Sequence, residues 1–151
     1  MSSALREETY RDWLDSQGLR FGFAAEIAAL AQRERAAVGN DTPTESLWPH
    51  ILPTVRLVES VRERFGPTVI HSAYRAPLYN RAVGGETHSR HMENDAIDFS
   101  CATCTPHDWA VFLRGLRDAG VFSGGIGEYA TFVHVDTRGH RADWKAASVA
   151  A

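Results

Sequence analysis

The chain has 151 residues, 44% of them hydrophobic and 23% charged, with a formal net charge of −3. That length reads as one domain, residues 1–151, able to bury a core without disulfide or metal staples. The interspersed signs leave no basic stripe for nucleic acid, and no apolar run approaches the ~20 residues of a membrane span.

The opening residues 1–8 lack the basic-then-apolar pattern of a secretory signal, so the expectation is synthesis in the cytoplasm without a signal peptide. Residues 3–17 predict a helix with Tyr10, Trp13 and Leu14 on one face and Gly18 at its end. Phe21-Gly22-Phe23 predicts a short extended piece, and residues 24–38 an alanine-rich helix stopped by Gly39. Residues 1–44 carry no evident chemistry and are expected to pack, as an extension, on a core spanning residues 45–145. Leu47, Ile51, Val55, Val58, Val61 and Phe65 recur at helical spacing, with the regular part beginning near Pro53. Residues 68–72 are β-branched and predict a strand, and residues 78–83 a short helical turn before Gly84-Gly85. Further strands are expected at 95–99 and 132–136, with a helix starting at Thr105-Pro106 and ending at Gly120. Residues 123–127 read as a flexible glycine loop. Helices and strands mix without βαβ alternation, which predicts an α+β fold with an antiparallel sheet flanked by helices.

Chemistry concentrates in His88-Ser89-Arg90-His91-Met92-Glu93-Asn94-Asp95-Ala96-Ile97-Asp98-Phe99. His91 and Asp98 are candidate metal ligands, with His134 of Phe132-Val133-His134-Val135-Asp136 as the third. On a continuous helix, residues seven apart are separated by roughly 10 Å, so His91 and Asp98 share an ion only if the chain folds between them, near Asn94-Asp95. His134 and Asp136 share a strand face, which sets a carboxylate beside the histidine. Spacing alone leaves a hydrogen-bonded histidine or a salt bridge as the commoner reading. His50, His71, His107 and His140 are read as solvated or structural.

Three motifs tip the balance. Ser72-Ala73-Tyr74-Arg75 with Pro77, Tyr79-Asn80 and Val83-Gly84-Gly85 resembles the SGYR-type segment of the zinc D-alanyl-D-alanine carboxypeptidases. Ser89-Arg90-His91 through Asp98 resembles their zinc motif, and residues 132–136 resemble their last ligand strand. The order of the motifs also matches, over about residues 47–144, and the likeness is closest to subfamily A of peptidase family M15, on the fold shared with hedgehog signalling domains. This resemblance implies that His91, Asp98 and His134 bind Zn2+ and that Arg75 steadies the substrate carbonyl. It further implies that Ser72, Tyr74 and Ser89 shape the site or touch the peptide. The implied reaction is hydrolysis of peptide bonds next to D-alanine in peptidoglycan stem peptides, as carboxypeptidase or endopeptidase, with a zinc-activated water as nucleophile.

The general base is where this chain departs from part of that family. Many members carry an acid three residues before the last ligand, where this chain has Thr131. Asp136 is the first choice for that role, with Glu128 and His88 in reserve. Asn94 and Ala73 stand where the family has glycines; Asn tolerates the left-handed backbone, whereas Ala73 needs a negative φ. Thr131 also keeps open a second reading, a non-catalytic zinc module binding cell wall or a protein partner. The missing signal fits a wall enzyme released by lysis or carried in a phage-like particle. Cys101 and Cys104 form a CxxC read as ordinary reduced thiols, or as a disulfide in an oxidising space.

Overall fold

A computed structural model of the chain describes residues 2–146; Met1 and residues 147–151, the ends of the expected domain, lie outside the described residues. The order is α1 (Ser3–Asp15), α2 (Phe23–Leu30), β1 (Glu34–Arg35), β2 (Val38–Gly39), α3 (Ile51–Phe65) and β3 (Thr68–Ser72). There follow α4 (Pro77–Ala82), β4 (Ala96–Cys101), α5 (Pro106–Asp118), β5 (Gly125–Glu128), β6 (Val133–Asp136) and β7 (Ala142–Lys145). Two 3-10 turns, Glu45–His50 and Arg90–Glu93, precede α3 and β4. The fold is α+β. Its five-stranded sheet runs in the order β3-β4-β6-β5-β7, antiparallel except at the edge, where β7 pairs parallel to β5.

One face of this sheet is apolar. Ile70, Ile97, Phe99, Val133, Val135 and Ile126 are at most 2% exposed and join one hydrophobic cluster with α3 and α5. Ile51, Val55, Val58 and Val61 give α3 its buried stripe, and Trp109, Ala110 and Leu113 give α5 its own. Each large side chain so buried contributes roughly 1.5–3 kcal/mol. The start of α5 is a full capping box: Thr105 Oγ1 accepts from the Asp108 N–H, and the Asp108 carboxylate accepts from the Thr105 N–H. Tyr10, Leu14 and Phe23 of the first two helices join the same cluster, and the Tyr10 ring lies 5.4 Å from that of Trp48.

Several expected elements take another form. Phe21-Gly22 is a left-handed turn, with φ of 63° and 73°, and α2 begins immediately after it at Phe23. The expected helix over 24–38 stops at Leu30, because Ala36 and Ala37 both take positive φ and close a β1–β2 hairpin. Paired left-handed residues are what a two-residue hairpin turn with the strands' own twist requires. The helix before β3 starts at Ile51 rather than at Pro53, and that proline sits in its first turn. Gly125–Glu128, expected within a loop, is a fully buried strand. β7 was not anticipated at all.

Candidate metal centre

Strand alternation sets the second sheet face apart from the core. Asp98, His134 and Gly127 face it, and the pairing registers place them in one row across all five strands: Ser72, Asp98, His134, Gly127 and Trp144. The sheet alone thus delivers the carboxylate of Asp98 and the imidazole of His134 side by side. His91 arrives from outside, on the 3-10 turn, which Ser89 caps by accepting from the His91 N–H at 3.2 Å. Asn94 ends that turn at φ 59°, the left-handed geometry that folds the chain back toward β4. Ala73 keeps a negative φ.

His91, Asp98 and His134 are all buried, and one ligand atom from each lies within 4.8 Å of the others. Their hydrogen bonds decide which atoms face inward. His91 Nδ1 lies 2.7 Å from the Ala73 carbonyl oxygen, which can only accept, so Nδ1 carries the ring proton. Its Nε2 is then turned to Asp98 Oδ1 at 3.1 Å. His134 Nε2 lies 2.7 Å from Asp136 Oδ2 and donates to it, leaving Nδ1 aimed at the same Asp98 Oδ1 at 2.9 Å. With neutral rings, three lone-pair atoms converge with no proton between them. A cation satisfies that arrangement, and two imidazole nitrogens plus one carboxylate oxygen are a donor set that zinc takes. The outer partners, a backbone carbonyl and a carboxylate, are those that fix tautomer and ring orientation in metal-binding histidines.

The electrostatics follow. Burial would raise the Asp98 pKa, but His91 and His134, when protonated toward it, hold it well below the carboxylate range. Burial would lower the His134 pKa, yet Asp136 and Asp98 together raise it. Asp136 is likewise held low against its burial, by Arg138, His134 and the Gly125 N–H.

A cleft of about 790 Å³ opens on this centre. Its lining includes His91, Asp98, His134, Arg75 and Ser89, together with residues 83–88. Arg75 is held on three sides: Nε donates to Ser72 Oγ at 3.1 Å, Nη1 to Asn80 Oδ1 at 3.3 Å, and Nη2 lies 3.6 Å from Asp98 Oδ2. Gly85 permits this packing, since a Cβ there would overlap the Asn80 amide.

Other expected site residues sit elsewhere. Ser72 and Tyr74 do not line the cleft; Ser72 braces Arg75, and the Tyr74 carbonyl accepts from Asn40 Nδ2. Asp136 has no exposed surface and is fully engaged by His134, Arg138 and the Gly125 N–H, so it orients His134 and does not reach the cleft as a base. Glu128 faces the opposite side of the sheet, against Arg114 and His107 of α5. Of the three base candidates, His88 alone lines the cleft. Cys101 and Cys104 are free thiols, and burial pushes that of Cys101 up.

Sequence reasoning passed over the far wall. Tyr129, Phe132, Trp144 and Arg138 line the cleft there, and the Tyr129 and Phe132 rings stack at 4.3 Å. The signal was Gly-Ile-Gly-Glu, whose glycines mark a strand over which something packs closely. That something is Trp144, whose indole a Cβ at Gly127 would overlap.

Residues 23–136 match the Peptidase M15 family. The chain belongs to that family, a metallopeptidase family that includes the D-alanyl-D-alanine carboxypeptidases. The match begins at the first residue of α2, well before Leu47, and ends at Asp136. No curated protein matches the chain. Membership and the buried His–Asp–His group agree on a metal-dependent peptidase.

Proposed function

We propose that this peptidase uses zinc and hydrolyses peptide bonds next to D-alanine in peptidoglycan stem peptides, as a carboxypeptidase or an endopeptidase. The observation that carries the reading is the convergence of His91, Asp98 and His134 in one cleft with the braced cation Arg75. Bound by those three residues, zinc would supply Lewis acidity, polarising a carbonyl and acidifying a water. The chain's own groups do the rest. Arg75 presents a fixed guanidinium to the carbonyl oxygen as it gains negative charge. Ala73 and Asp136 keep both imidazoles in the tautomer that binds metal. His88, from the loop over the cleft, takes the proton of the attacking water and passes it to the departing amine.

Zinc-loaded protein should release D-alanine from a peptide ending in D-Ala-D-Ala, or cut cross-linked peptidoglycan, as read by mass spectrometry of the products. Silence on both substrates with one zinc bound per chain rejects the reading. His88→Gln should keep its zinc and lose at least about a hundredfold in kcat. Unchanged kcat removes His88 from proton transfer.

A second reading, a non-catalytic zinc module that binds cell wall or a protein partner, rests on Thr131 and on the engagement of Asp136 and Glu128 elsewhere. Stoichiometric zinc and wall binding without turnover would select it.

A further inference from the structure

The far wall of the cleft holds a hydroxyl whose proton no described residue accepts. Trp144 lies over Gly127, with its ring 5.1 Å from that of His134, and its Nε1 donates to the Tyr129 hydroxyl at 3.0 Å. An indole N–H only donates, so the phenolic oxygen must accept there, and its own O–H is directed elsewhere. Among the described residues no protein group accepts that proton. The Tyr129 side chain is half-buried, lines the cleft, and is fixed from behind by its stack on Phe132 and by the Tyr129 N–H bonded to the Phe132 carbonyl at 3.0 Å. Trp144 is fixed in turn, with the Arg138 guanidinium 5.4 Å over its ring. A rigid phenol, its oxygen already oriented by an indole, thus presents one donor to the cleft on the side of His134.

We propose that Tyr129 is a substrate-binding residue, donating its hydroxyl proton to a carbonyl oxygen of the bound peptide, and that Trp144 is the positioning residue that sets the direction of that donation. The inference deepens the peptidase reading above and rests on it. It answers a need left by the rest of the site, because Arg75 stands among the loops at the β3 end of the row and Trp144 at the β7 end. A peptide gripped from one side alone remains free to swing about that contact, and a second donor removes that freedom. Preorganised donors of this kind cost little reorganisation when substrate arrives.

Tyr129→Phe keeps the ring and its stack on Phe132 and removes only the hydroxyl. Trp144→Phe keeps an aromatic ring over Gly127 and removes the N–H together with part of the indole's bulk. The zinc-loaded proteins are compared on a peptide ending in D-Ala-D-Ala, with kcat and KM separated, and by calorimetry of the shortened product peptide. That product retains an oxygen at the former scissile carbonyl. Zinc content and melting temperature serve as controls for folding.

Tyr129→Phe should retain zinc, lower kcat/KM about tenfold and weaken product binding by a similar factor, the loss of one neutral hydrogen bond. Trp144→Phe should lose less, and adding it to Tyr129→Phe should cost less than it costs alone, because the N–H acts only through the hydroxyl. Wild-type turnover and product affinity preserved in Tyr129→Phe overturn the inference and leave the peptidase reading standing. Losses that multiply in the double variant overturn the positioning role of Trp144. Wild-type protein that neither cleaves nor binds overturns the peptidase reading and this inference with it.

Discussion

Two carboxylates lie buried on opposite faces of the same sheet, Asp98 on the cleft side and Glu128 against α5. Both have pKa values pulled below the ordinary range against their burial, Asp98 by His91 and His134 when those rings are protonated toward it, Glu128 by Arg114 and His107. Direction of shift therefore does not separate them. Proton count does. Glu128 accepts from Arg114 Nη1 at 2.7 Å, has Lys145 Nζ 3.7 Å away, and meets His107, so its partners bring their own positive charge. Asp98 has Arg75 Nη2 3.6 Å from its Oδ2, but its Oδ1 faces two imidazole nitrogens whose ring protons are committed to Ala73 and Asp136. One cluster is a finished salt-bridge network and the other is one cation short of finished. That difference, more than the presence of histidines, marks the metal centre.

The sharpest way to break the comparison is to remove a lone-pair donor. His134→Ala should abolish stoichiometric zinc, by elemental analysis, and with it activity. Undiminished zinc would take His134 out of the centre. Next in size, Asp136→Asn should weaken zinc about 10–100-fold in a chelator competition, since it removes the charge behind His134 while leaving the ligand in place. Affinity unchanged by that substitution would show that Asp136 does not support the ligand.

The smallest effect belongs to the other face. Glu128→Gln should leave zinc binding intact and cost about 1–3 kcal/mol of stability at pH 7 in urea unfolding. The sign of its pH dependence follows from the lowered folded pKa. The stabilisation by Glu128 is fully present above its unfolded value of about 4.3 and is lost as pH falls through the lower folded value. Wild type and Glu128→Gln should therefore converge in stability on acidification. A gap that stays constant down to about pH 2 would contradict the ionic account of this cluster.

Legibility in the sequence followed the physics of each element. β4, β6 and α5 were readable because their apolar spacing and cap residues act locally, and the three motifs supplied the family. The hairpin after α2 was not readable, because nothing in Ala36-Ala37 announces positive φ as glycine or asparagine would. β5 looked like a loop because its glycines respond to what packs on them, Trp144 and Asp136, which is tertiary information. The role of Asp136 shows the limit of strand parity. Alternation correctly set it on the His134 face, but two atoms on one face need not see the same water; this one is sealed behind the imidazole by Arg138. The aromatic wall escaped because its members come from a turn and from the edge strand β7, and only the fold brings them together.

β7 ties the two faces to each other. Asp143 points back, where Arg117 Nη2 holds both its oxygens at 2.8 Å, while the next residue, Trp144, points forward over Gly127. The Arg117–Asp143 salt bridge, which faces away from the cleft, thus stands one residue along the strand from the wall that lines it.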